Sequence, residues 1–248
     1  MEGISSGRIQ KVVAARSETY RCRDFPRIEE LEERLFSLSD GVHRFFLETP
    51  WGVFLGASPE YLFHRQGDRV IVPAIAGSAA PEKAHSLLRG SKERLEHDLV
   101  IREIEQSLRG LGLNPKRGET SVLPLQHLHH LFTPVEARTA GGAARALLRA
   151  LHPTPALGGY PRRAASEFLR KEPLQRGFFG APLGFWSKEE DRMLVAIRCA
   201  LVRGGTATLF AGAGVVNGSS AEAEWRETHR KMSAMRAILG IPEVGGEG

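Results

Sequence analysis

The chain has 248 residues, 42% of them apolar and 25% charged, which describes an ordinary globular protein with enough chain for a full core. Its apolar runs fall short of the ~20 residues that span a bilayer, and the opening MEGISSGRIQKVV lacks the basic-then-apolar layout of a signal peptide. The formal charge of +5 is scattered among acids with no basic run interleaved with aromatics, so the expected partner is a small dianion and not nucleic acid or a membrane.

Two cysteines, Cys22 and Cys199, are too few for a disulfide framework and point to a reducing cytoplasm. In chain order, Ile9 to Arg16 reads as a strand ending in basic residues, and IEELEERLFSL, residues 28–38, has helical spacing. Four short strand-like runs follow: HRFFLET, WGVFLGA, YLFHR and RVIVPAIAG. They are split by Pro50, Pro59 and the hairpin pair Gly67-Asp68. The clearest helix is SKERLEHDLVIREIEQSL, with Ser91 as its cap and Gly110 as its stop. SVLPLQHLHHLFTPVEA reads as extended. Helices are expected over residues 140–151 and 162–170, the second led by Pro161.

The last third predicts three strands, GAPLGFWS, RMLVAIRCALV and ATLFAGAGVV, and a final helix from about Ala221 to Leu239. Strands arrive in hairpin-like groups with helices between the groups, which argues an α+β fold with largely antiparallel sheets. With no repeat or linker, one domain over residues 1–248 is the simpler organisation, with 243–248 as a frayed tail.

Two acidic helix stripes carry candidate metal chemistry: Glu93, Glu96 and Glu103 on the first long helix, Glu224 and Glu227 on the last. Carboxylates suit magnesium, which takes one or two of them together with water and substrate oxygens. The same spacing also fits an ordinary solvated face, and spacing alone leaves both readings open. His127, His129 and His130 invite a zinc reading, but strand alternation puts His130 opposite the other two, with no cysteine or acid at ligand spacing nearby. Gly212, Gly214 and Gly218 give G-x-G-x-x-x-G with no βαβ unit behind it, so a dinucleotide turn fails, although bare amides there still suit an anion. Lys11 is the odd residue of its strand. It is an edge lysine that reaches water, or a buried amine able to serve as a general base.

Taken in order, IQKVVAAR, ASPEYLF, AIAGS, ERLEHDLV, HHLFTP, LHPTPALGGYP, VAIRCA, LFAGAGVV and AEWRETHRK closely resemble the chorismate-utilising enzymes, especially the isochorismate synthases, over residues 8–240. The resemblance implies two packed antiparallel sheets with helices outside, the fold shared with anthranilate synthase component I. It implies a magnesium-dependent conversion of chorismate to isochorismate, feeding menaquinone or a siderophore. Lys11 would activate water for attack at ring carbon 2, and Glu60 would protonate the departing 4-hydroxyl. Glu96 and Glu227 would hold magnesium directly and Glu224 a metal-bound water. Gly77, Ser78, His130, Ala156, Arg198, Gly212, Ala213, Gly214 and Lys231 would contact the substrate. Ammonia-adding relatives generally carry glutamine at the Lys11 position, so lysine favours water addition.

A salicylate synthase, which also eliminates pyruvate, and a catalytically weak chorismate-binding protein are the alternatives. Family members usually carry a further N-terminal segment that supplies strands. The expectation here is therefore a shortened fold whose open edge is covered by a homodimer, pairing near residues 9–16 and 43–57, or is shielded by charge.

Overall fold

The computed structural model describes residue 4 and residues 6–21, 26–38, 41–125, 128–139 and 142–242. The chain runs through β1 (Lys11–Arg21), α1 (Ile28–Phe36), β2 (His43–Thr49), β3 (Gly52–Ser58), β4 (Tyr61–Gln66), β5 (Arg69–Ala79) and a 3-10 turn (Pro81–Ser86). It continues with α2 (Ser91–Gly110), β6 (Lys116–Arg117), β7 (Ser121–Leu123), β8 (His129–Arg138), α3 (Ala144–Leu151), β9 (Gly159–Tyr160) and α4 (Arg162–Leu169). The last elements are β10 (Pro182–Trp186), β11 (Glu190–Val195), β12 (Cys199–Arg203), β13 (Thr206–Val216) and α5 (Ala221–Leu239).

The strands form two sheets, one ordered β2-β3-β12-β13-β1-β9 and the other β10-β11-β4-β5-β8-β6, with β7 also on β8. Every pairing is antiparallel. The α+β reading with two antiparallel sheets and outer helices therefore holds. Hairpins dominate because turns such as Gly67, at φ 60, reverse the chain in a few residues.

Three apolar clusters hold the layers. α2 and α3 lay Val100, Ile101, Ile104 and Leu147 on Val70, Val72 and Val135 of the second sheet. α1 and α5 cover the outer face of the first sheet, with Leu31, Leu35, Met232, Met235 and Ile238 against Leu55 and Leu209. Phe45, Phe54, Phe179 and Phe210 form a third cluster around the buried Cys199. Each such side chain contributes about 1.5–3 kcal/mol when fully buried. Arg65 and Asp191, both buried, tie β4 to β11 through a bidentate pair at 2.6 and 2.8 Å.

Several expectations need correction. RMLVAIRCALV is two strands in two different sheets, broken at Ala196 to Arg198, where Arg198 takes φ 52. A continuous apolar run cannot reveal such a switch, because both halves are buried. Ser91 is the first helical residue of α2 and the extended Gly90 precedes it, so no side chain caps this end. β1 runs five residues beyond Arg16, because β13 pairs with it as far as Arg21. Of the surfaces expected to pair in a dimer, β3 is interior and the start of β1 already has β9, which leaves β2 and the second half of β1 at edges. Cys22, His127 and the tail 243–248 lie outside the described residues.

Candidate active site

A cavity of about 70 Å³ opens between the two sheets, and residues from both sheets, from α2 and from α5 reach it. β1 alternates, so Lys11 and Val13 face the cavity while Ala14 and Arg16 face the outer helix layer. Lys11 is 1% exposed, and its Nζ lies 2.9 Å from Glu96 Oε1. Opposite Val13 stands Gly214, where an added Cβ would collide with Glu96 Oε1 and Lys11 Cε. The absence of a side chain at Gly214 is what lets this ion pair lie across the sheet.

Glu60 sits just after β3, fixed by its own backbone: its amide donates to Ser58 Oγ at 3.1 Å, and Ser58 Oγ donates to the Glu60 carbonyl at 3.2 Å. Burial pushes its carboxyl up to about 8, against the opposing pull of Lys11, Lys231 and Arg198. At neutral pH this group is a protonated acid surrounded by cations, the arrangement a proton donor needs.

On β5 a bulge between Ala76 and Ser78 puts Gly77 at φ 75, and Ser78 then faces His130 on β8. Ser78 Oγ lies 3.0 Å from His130 Nδ1, and His130 Nε2 lies 3.2 Å from an Arg198 Nη2. His130 is buried, which together with the charges of Arg198 and Lys231 drives its pKa well below the ordinary value and keeps the ring neutral. Burial also lowers Arg198, to about 10, partly countered by Glu227 and Glu60. The strand break places Arg198 between the two sheets, so its guanidinium serves the cavity and not a ladder.

From α5, Lys231 Nζ bonds the Gly212 carbonyl at 2.8 Å and pairs with Glu227 at 2.6 Å, one helical turn back. Burial pushes the Glu227 carboxyl up, but the charge and hydrogen bond of Lys231, aided by Lys92 and Arg198, hold it below the usual carboxylate range. Glu224 pairs with Lys92 of α2 at 2.6 Å.

Among the described residues no three acids, histidines or cysteines are gathered closely enough to hold a metal ion, and each of the three candidate glutamates is held by a lysine. One observation still fits a shared cation. Burial works against the Lys92 ammonium, yet Glu224, Glu96 and Glu227 together raise its pKa. Three carboxylates thus already act on a single positive charge, and their oxygens are suitable donors for magnesium.

The cavity therefore gathers Lys11, Glu60, Gly77, Ser78, Glu96, His130, Ala156, Arg198, Gly212, Gly214 and Lys231. Three candidates do not line it, and of these Glu227 meets the cavity only through its pair with Lys231. The Ala213 methyl faces the other side of the sheet with Ala14, because neighbours in a strand alternate, and Glu224 lines that same outer recess. Glu103 lies two turns along α2 from Glu96 and does not line the cavity. Lys92 was not singled out from the sequence, although its spacing to Glu96, i to i+4, is the signal that could have found it. The apolar walls Phe179 and Phe210, stacked at 5.9 Å, carried no sequence signal that separates them from core.

A family model described as "Chorismate binding enzyme" matches residues 1–240. The salicylate biosynthesis isochorismate synthase of Pseudomonas aeruginosa is 38% identical over 98% of this chain and 54% of its own length. The isochorismate synthase MenF of Bacillus subtilis is 35% identical over 96% of this chain and 53% of its own. Among solved structures, the 2,3-dihydroxybenzoate-specific isochorismate synthase DhbC of Bacillus anthracis superposes with a TM-score of 0.89 at 32% identity, covering 97% of this chain and 69% of that one. The chain spans about half the length of the curated relatives it matches.

Proposed function

The chain belongs to the chorismate binding enzyme family, and from that premise we propose that it is an isochorismate synthase with its catalytic domain spanning residues 1–248. The observation that carries this reading is that a buried lysine, Lys11, and a buried carboxyl, Glu60, line one small cavity. Chorismate is a dicarboxylate. Arg198, Lys231 and the glycine-lined strand around Gly212 and Gly214 supply the positive and donor groups that orient it. Lys11 takes a proton from water as the oxygen attacks ring carbon 2. Both ring double bonds shift by one position, the bond from carbon 4 to its hydroxyl breaks, and Glu60 delivers the proton that lets this group leave as water. One water enters and one leaves, so the product is an isomer of the substrate. His130, kept neutral and held by Ser78 and Arg198, positions the substrate without changing its charge.

Glu96 and Glu227, with Glu224 behind them, would hold magnesium. Bound there, the ion would supply positive charge that offsets the substrate carboxylates, while Glu96 orients the Lys11 amine on the cavity. Without it, four cations (Lys11, Lys92, Lys231 and Arg198) face three carboxylates, so a divalent ion alone adds positive charge to an already positive site. Magnesium is accordingly expected to bind weakly until the dianionic substrate is present. Glu227→Gln should raise the magnesium concentration needed for half-maximal rate steeply, and Glu103→Gln should leave it unchanged; equal responses in a magnesium titration would remove Glu227 from the metal site.

No described helix is long and apolar enough to cross a membrane, and the reading places the enzyme in the cytoplasm. Incubation of the purified chain with chorismate and magnesium, followed by chromatography, tests the assignment. Isochorismate supports it, salicylate with pyruvate makes the chain a salicylate synthase, and unchanged chorismate leaves a binding protein.

A further inference from the structure

We propose that Arg176 is a positioning residue for the cavity: its guanidinium joins the strand of Lys11 to two apolar walls, and its loss slows the chemical step more than it weakens substrate binding. The proposal rests on the reading of this cavity as the chorismate site.

The side chain is needed because a ladder stops short. β9 pairs with Lys11 and Val12 of β1, and the Val13 amide then donates to the Gly158 carbonyl at 2.8 Å. At Leu157 the chain turns away, since the Leu157 and Gly158 amides both donate to the Thr154 carbonyl, at 2.9 and 2.8 Å. The Val13 carbonyl points to the same side of β1 as its amide and is left for another donor. Arg176 supplies it: Nη2 donates to the Val13 carbonyl at 3.0 Å, and Nη1 donates to the Leu157 carbonyl at 3.2 Å. A planar fork with fixed donor directions spans two carbonyls in this way, and a lysine ammonium does not match it. Glu172, four residues earlier, accepts from Nε at 3.2 Å and from Nη2 at 2.7 Å, which fixes the plane of the fork and offsets its charge.

The segment that carries Arg176 also builds a wall. The Arg176 carbonyl accepts from the Phe179 amide at 2.9 Å, and the next amide, of Gly180, donates to the Ala196 carbonyl at 2.7 Å, beside the break between the two sheets. Phe179 is thus pinned on both sides and stacked on Phe210. Its ring lies over the glycine strand, where a Cβ added at Gly212 would come within 3.7 Å of Phe179 Cζ. Lys11, Val13, Ala156, Leu157 and Phe179 all line the cavity, whereas Arg176 does not. One guanidinium behind the walls therefore sets the spacing between the base and the apolar surfaces that hold the substrate ring. Arg198 and Lys231, which meet the substrate's charge, are anchored elsewhere, to His130 and to Gly212 and Glu227. Loss of Arg176 should leave that anchoring in place and shift the ring relative to Lys11.

Steady-state kinetics, melting curves and amide hydrogen exchange on the full chain test the proposal. In Arg176→Ala, kcat is expected to fall about 10- to 100-fold, the scale of a misplacement of about 1 Å, while KM changes less than about threefold. Added methylguanidinium should restore part of the variant's kcat and leave the wild type unchanged. Arg176→Lys keeps a charge beside Glu172 and one donor, so it should fall between the two and covers the case in which the alanine variant fails to fold. In both variants the Val13 and Phe179 amides should exchange faster than in the wild type. Wild-type protection of these amides, a rise in KM with kcat unchanged, or a rate loss that methylguanidinium does not relieve and that only follows the melting temperature overturns the assignment. A wild-type chain that turns over no chorismate rejects the isochorismate reading and the rate claim with it, while the exchange comparison still decides whether Arg176 holds these walls.

Discussion

Lys11→Ala is expected to lower the rate of isochorismate formation by about 10²–10⁴, the scale on which a positioned base acts. The residue is buried on the cavity. Its loss has a second consequence, because Glu96 loses the ammonium at 2.9 Å. Breaking a buried pair costs about 3–5 kcal/mol at the upper end, so a melting curve must accompany the assay. Lys11→Gln separates the two effects: the amide keeps a donor for Glu96 but cannot take a proton from water. It should recover stability and not the rate. With ammonium in excess it should yield some aminated product, since ammonia needs no base there. Near-full activity of Lys11→Ala would show that this lysine is not the base.

Glu60→Gln is expected to cost a similar factor, and no added nucleophile should restore it, because departure of the hydroxyl is what fails. The pH profile carries the same claim. Burial holds the carboxyl protonated up to about 8, above the ordinary carboxylate range. A group with a raised pKa is a competent acid below that value and loses its proton as pH rises through it. The kcat/KM limb should therefore fall tenfold per pH unit above about 8. In Glu60→Gln that limb should be gone. A wild-type limb that falls near pH 4.5 instead would mean the carboxyl works ionised and is not the acid.

How far the sequence reached depended on whether a feature is local. Turns, helix spans and the outer limits of β13 and α5 follow from glycine placement and periodicity, and the structure has them within a few residues. The order of motifs from IQKVVAAR to AEWRETHRK carried the family resemblance, and the fold built on it gathers Lys11, Glu60, Glu96, Arg198 and Lys231 on one cavity although they lie far apart in the chain. What was not legible was pairwise. That RMLVAIRCALV serves two sheets depends on which strands receive its halves, β4 for one and β3 for the other. That Ala213 turns away while its glycine neighbours face the cavity depends on the register with β1. The lysine partners of Glu96, Glu224 and Glu227 likewise come from tertiary geometry, except Lys231, which one helical turn already places beside Glu227. The stripe of acids on α5 was thus readable as a stripe, while the turn of Glu224 toward the outer recess was not.

In the proposed reaction this chain adds water at carbon 2 of chorismate and expels the hydroxyl at carbon 4, using Lys11 and Glu60. A reaction run in oxygen-18 water with magnesium, with the product analysed by mass spectrometry, tests it most directly. The expected product is isochorismate carrying one oxygen-18, located at carbon 2, with none in residual chorismate beyond what the reverse reaction introduces. Isochorismate formed without solvent oxygen would mean that the hydroxyl migrates within the substrate, and no conversion at all would mean that the cavity binds without catalysing; either result contradicts the account.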